Sequence, residues 1–110
     1  MGLFSRVRRR PVRVREADDA DLTRLTEFVT SRLGVEAYLE PRTTVTSYTV
    51  VLVAGDGEWT RRRVADPDAA AKFAARHGIP LYETHLMGYP QRMRDWTAAQ
   101  KRSGAGSDRA

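Results

Sequence analysis

Cysteine is absent from all 110 residues, which excludes disulfides, thiolate nucleophiles, cysteine zinc sites and cysteine-ligated iron–sulfur clusters. Histidine is scarce: His77 and His85 are the only two, and their eight-residue spacing lacks the i, i+4 pairing of a helical metal site. His77 is read as a partner for a helix C-terminal dipole and His85 as a half-buried polar residue. Gly55-Asp56-Gly57 has no third glycine at the right offset and runs into a strand, so it is no phosphate cradle. The acid pairs Asp18-Asp19 and Asp66-Asp68 sit at helix starts, where capping explains them. No cofactor is expected from such an inventory. No window reaches the roughly 18–20 apolar residues that span a bilayer, and MGLFSRVRRR holds no apolar stretch long enough for a secretory signal. The expected compartment is the cytoplasm.

Charge is present in quantity but unevenly placed. Residues 1–15 carry six arginines and no acid; 16–60 carry nine acids against three arginines; 61–102 carry nine bases against four acids, giving +5 for the whole chain. The chain divides into a basic flexible arm at 1–15, a nearly neutral α+β domain at 16–102 and a flexible tail at 103–110. A domain of about 85 residues lies near the lower range of comfortable independent stability, so a homodimer would add useful buried surface.

The local patterns predict a single small α+β domain in the order helix, strand, hairpin, helix, strand, helix, with helices packed on one antiparallel or mixed sheet. Asp18 or Asp19 caps a first helix whose stripe is Leu22, Leu25, Phe28, Val29 and Leu33, ended by Gly34. Val35, Ala37 and Leu39 alternate with Glu36, Tyr38 and Glu40 as a strand with one buried face. Asp56-Gly57 suits a two-residue type I′ turn, which pairs Ala54 with Trp59, Leu52 with Arg61 and Val50 with Arg63. Val51, Val53, Arg62 and Val64 then line the other face. On that register Val51, Val53 and Val64 join Leu22, Leu25, Phe28 and Phe73 in the core, with Arg62 reaching out at a sheet edge. Asp66-Pro67-Asp68 opens a second helix that ends at Gly78. A strand at Leu81–His85 precedes a last helix from about Gln91 to Arg102, with Met93 and Trp96 on one side. The first five elements follow the helix–three strands–helix order of double-stranded RNA-binding domains. Those domains open their second helix with lysines, whereas Asp66 and Asp68 would repel phosphate.

The arginines offer the best candidate chemistry. Strand alternation sends Arg61 and Arg63 to one face with Trp59, and an aromatic ring beside two guanidiniums suits stacking a base or gripping a phosphate. The same side chains also suit pairing with Glu36 and Glu40 on a neighbouring strand, or covering apolar sheet surface. Arg92 and Arg94 lie on different sides of their helix, with Arg92 expected to meet Asp95 or Trp96. The candidate contacts for an anion or nucleic acid are therefore Trp59, Arg61 and Arg63, together with Arg8, Arg9 and Arg10 of the arm. These define a non-catalytic binding module for RNA, a ribonucleoprotein or another polyanion. A second reading is an adaptor at an anionic membrane surface or a protein, with Leu3, Phe4 and Val7 entering lipid. The myristoylation pattern is missing, since position 6 is Arg.

EAYLEPRTTVT at 36–46, VVLVAGDGEWTRRRV at 50–64 and GIPLYETHLMGYPQRMRDW at 78–96 resemble a family of small uncharacterised proteins of high-GC Gram-positive bacteria. Its members are often labelled oxidoreductase, so the resemblance implies a redox role, although it brings no cofactor motif and no catalytic residue to carry over.

Overall fold

A computed structural model describes residues 17–104. The basic arm, with Arg8, Arg9 and Arg10, and the tail beyond Gly104 lie outside the described residues. The domain is α+β, built as α1 (Asp19–Ser31), β1 (Glu36–Glu40), β2 (Thr49–Val53), β3 (Trp59–Arg63), α2 (Pro67–His77), β4 (Leu81–Glu83), α3 (Thr84–Met87) and α4 (Gln91–Arg102). The sheet is mixed, with order β3-β2-β1-β4; β1 is antiparallel to β2 and parallel to β4. No helix among the described residues is long and apolar enough to cross a membrane.

Local chemistry sets the helix ends. Asp18 caps α1 by accepting the Asp21 amide at 3.0 Å while the Asp21 carboxylate accepts the Asp18 amide at 3.2 Å, so two end amides are satisfied reciprocally. Asp66 accepts the Ala69 amide at 2.8 Å ahead of Pro67, and Gly78 closes α2 at φ +65°, the left-handed cap that glycine takes without strain. α1 stops at Ser31, short of the expected stripe: Leu33 is 89 % exposed and Leu22 48 %, leaving Leu25 and Phe28 as its buried anchors. The last strand is also shorter than expected, because the chain coils into α3 at Thr84.

The hairpin register differs from the two-residue-turn expectation. Ala54, not Gly55, closes the loop opposite Glu58: the Ala54 amide donates to the Glu58 carbonyl at 2.8 Å and the Gly57 amide to the Ala54 carbonyl at 2.9 Å. With Gly57 at φ +97°, this is a three-residue loop in which a turn is followed by a glycine bulge. The pairs become Val53–Trp59, Leu52–Thr60, Val51–Arg61, Val50–Arg62 and Thr49–Arg63. One extra loop residue exchanges the faces of β2 relative to β3.

Both sheet faces are covered. α1 and α2 bury Ala37, Leu39, Val50, Leu52, Ala54 and Val64 against Leu25, Phe28, Ala70 and Phe73. Val51 and Val53 are fully buried on the opposite face, with Tyr38 and Met93 of α4, so they do not share the core of α1 and α2 with Val64. For the same reason β1 has two buried faces rather than one: Ala37, Tyr38 and Leu39 are all at most 7 % exposed. Arg62 is half-buried, on the α1 and α2 side opposite Val50.

Candidate functional site

The polar residues of the α4 face converge on two carboxylates, one at each end of β1. Glu40 accepts both Arg61 Nε at 2.8 Å and Arg61 Nη2 at 3.0 Å, a bidentate pair that fixes the guanidinium plane. The Thr49 hydroxyl and the Tyr89 phenol also donate to Glu40. Glu36 accepts Tyr38 OH at 2.9 Å and Arg92 Nη2 at 2.9 Å. Arg92 Nε donates to the Ala54 carbonyl at 2.9 Å, tying α4 to the hairpin across 38 positions of sequence. Tyr38 packs against Tyr82 and Tyr89 with ring centroids 5.4 and 6.1 Å apart.

These contacts decide the ionisation of the cluster. Burial works to raise the Glu40 carboxyl, but hydrogen bonds from Arg61, Thr49 and Tyr89 and the Arg61 charge outweigh it and hold the group below its ordinary value. Glu36 behaves alike: burial opposes, and Arg92 and Tyr38 together prevail, so its pKa falls. Burial, then the hydrogen bond to Glu36, pushes the Tyr38 phenol up to about 12. Burial and Glu40 raise Tyr89 as well. The carboxylates are moved down and the phenols up, away from the neutral range in which a general acid or base is poised.

The sequence-predicted residues separate. Trp59 is half-buried, donating Nε1 to Thr97 of α4 at 2.9 Å, with the Arg61 guanidinium 5.3 Å from its ring centroid. Arg61 is held by Glu40. Arg63, at the strand end, turns to α1, with Nε 3.5 Å from the buried Asp21 carboxylate. Trp59 and Arg61 are thus neighbours on one face, and Arg63 is engaged elsewhere. Arg92 meets Glu36 rather than Asp95, which instead accepts Gln91 at 2.9 Å. His77 packs at a tilt against Phe73, centroids 4.6 Å apart and ring planes 51° from parallel, and His85 is an exposed neighbour of Glu83 at 3.4 Å rather than half-buried. The described residues contain no group of three His, Cys, Asp or Glu able to hold a metal ion. Tyr89 and Arg92 are cluster members that sequence reasoning did not join, and it offered Glu36 to Arg61 and Arg63 rather than to Arg92. The only sequence signal for them was the acid–tyrosine–acid alternation of β1 followed by a downstream Gly-Tyr-Pro before an arginine-bearing helix.

No protein-family model matches the chain, and comparisons with curated proteins and with solved structures give no significant match.

Proposed function

We propose that the chain is a non-catalytic binding module for an anionic partner, RNA or another polyanion, engaged chiefly through its basic N-terminal stretch. The observation that supports this reading is the charge balance. Residues 17–104 hold twelve acids and twelve bases, so the surplus of +5 belongs entirely to residues 1–16, the last six being neutral. Within the domain, Arg61, Arg92 and Arg32 are each bound to a glutamate, which leaves those guanidiniums little capacity for phosphate. A compact, charge-balanced domain carrying a run of arginines at one end favours electrostatic, sequence-tolerant contact with a phosphate backbone.

The test is a salt titration of the full-length chain and of an Arg8→Gln, Arg9→Gln, Arg10→Gln variant against a labelled oligouridylate. Loss of three phosphate contacts lowers the log–log salt slope by about 2 for a single strand. Arg61→Ala changes it by less than about 0.7, the value of one contact. An unchanged slope in the triple variant, or no binding by the intact chain at low salt, overturns the reading. Sedimentation with anionic vesicles in place of RNA would point to the membrane-surface alternative.

A further inference from the structure

A groove of about 250 Å³ opens between α1 and α2 where β3 ends. Its floor is apolar: Leu25, Val64 and Phe73 are each at most 7 % exposed. Leu22, which its helical spacing predicts to be buried, stands on the wall at 48 % exposed. The cleft therefore shows solvent an apolar surface that one or two large side chains would cover.

The rim of the groove is negative. Asp18 and Asp19 line one end, and Asp66 follows the lining residue Ala65 at the head of α2. Asp19 and Asp66 enter no ion pair among the described residues. Arg63 is a cation on the wall, but the buried Asp21 carboxylate lies 3.5 Å away and balances it. The N-termini of α1 and α2 add roughly half a positive charge each, which offsets about one of the three carboxylates and leaves the mouth acidic. An acidic peptide is repelled there, and the groove of a second copy would set the same carboxylates against their own image.

The chain itself carries the complementary segment, and it starts at the groove. Ala17, the first described residue, is part of the lining. Ahead of it the sequence sets one pair of large apolar residues, Leu3-Phe4, before six arginines at 6, 8, 9, 10, 13 and 15. Thirteen positions separate Phe4 from Ala17, up to about 45 Å of chain, and closing such a loop costs little because the cost grows only with the logarithm of its length. A tether of this length also holds the pair near the groove at an effective concentration of about a millimolar. We propose that the chain's own N-terminal segment docks in this groove, with Leu3 and Phe4 against Leu22, Leu25, Val64 and Phe73 and the arginines along Asp18, Asp19 and Asp66. The apolar pair anchors the segment and the charges orient it. Docking requires no polyanion, so it and the polyanion reading can fail separately.

The absence of cysteine allows a single nitroxide spin label to be placed through Gly2→Cys in the full-length protein, with amide signals followed by nuclear magnetic resonance and no polyanion present. The label weakens the amide signals of Leu22, Ala65 and Ala69 at least about fivefold relative to the reduced label, while Ala98 and Lys101 of α4, across the sheet, keep theirs. Adding Leu3→Ser and Phe4→Ser leaves every arginine and the tether in place and restores the groove signals. That pair of substitutions lies outside the domain, so it separates docking from loss of fold. Three results would overturn the proposal: no selective weakening at the groove, the same weakening in the Leu3→Ser, Phe4→Ser protein, or weakening that passes between chains when isotope-enriched, unlabelled protein is mixed with spin-labelled protein, which would make a second copy's segment the occupant.

Discussion

Replacing Gly57 with alanine separates a turn's local demand from a helix's packing demand. Gly57 sits at φ +97°, and a Cβ placed there would lie 2.1 Å from the carbonyl oxygen of Arg92, 2.8 Å from its carbon and 2.9 Å from Trp96 Cβ. The obstructing atoms are mostly backbone in the first turn of α4, so no side-chain rotation relieves them. α4 has to lift off the hairpin. That shift strains the Arg92 bonds to Ala54 and Glu36 and the packing of Met93, which is 8 % exposed. The positive φ costs an alanine about 1–2 kcal/mol. Weakening two or three hydrogen bonds and one core contact adds roughly 2–3 kcal/mol more. Gly78→Ala is the matched control, since Gly78 has φ +65° and a Cβ there would meet nothing within 4 Å; it bears only the dihedral cost. Urea unfolding followed by tryptophan fluorescence should place Gly57→Ala about 3–5 kcal/mol below wild type and Gly78→Ala about 1–2. For a domain of this size the difference separates their melting temperatures by roughly 10 °C. Asparagine tolerates positive φ better than alanine but meets the same carbonyl, so Gly57→Asn should remain close to Gly57→Ala. A Gly57→Ala protein as stable as Gly78→Ala, or rescue by asparagine, would refute the contact argument.

The lowered pKa values of Glu36 and Glu40 contribute stability that is present above the unfolded carboxyl value and lost as pH falls through the folded one. Urea midpoints should therefore drop on acidification below about pH 4.5, less steeply in Glu40→Gln. Tyr38 has the opposite sign: its folded pKa of about 12 lies above the unfolded value, so its contribution is complete below about pH 10 and is lost as pH rises toward the folded value. Tyr38→Phe should flatten that alkaline loss, read by circular dichroism. Arg92→Ala should destabilise by about 1–3 kcal/mol, since it removes bonds to Glu36 and Ala54. Arg92→Lys should recover little in the same denaturation assay, because an ammonium lacks the planar fork that spans both acceptors. Asp18→Ala should cost about 1 kcal/mol by thermal melting through loss of the α1 capping box.

What could be read from the sequence is what neighbouring residues dictate. Asp18 with Asp21, Asp66 with Pro67, and Gly78 mark helix ends because capping and backbone conformation are decided within four positions. Asp56-Gly57 placed a hairpin for the same local reason, and alternation along β3 correctly made Trp59 and Arg61 neighbours on one face. The choice between a two-residue and a three-residue loop belongs to the tertiary structure: α4 packs its first turn against Gly57, and the Arg92 side chain bonds to the Ala54 carbonyl. That single residue of register decided that Arg62, not Arg63, lies opposite Val50, and that Val51 and Val53 face α4. Sequence pattern made Glu40 one candidate partner for Arg61. It could not join Glu36 to Arg92 at 56 positions' separation, nor Tyr89 to Glu40 at 49, because those contacts exist only once α4 and the loop before it close over the second face of the sheet. Short-range dihedral and capping preferences are written in the chain, whereas which surfaces meet depends on long-range packing that no local pattern specifies.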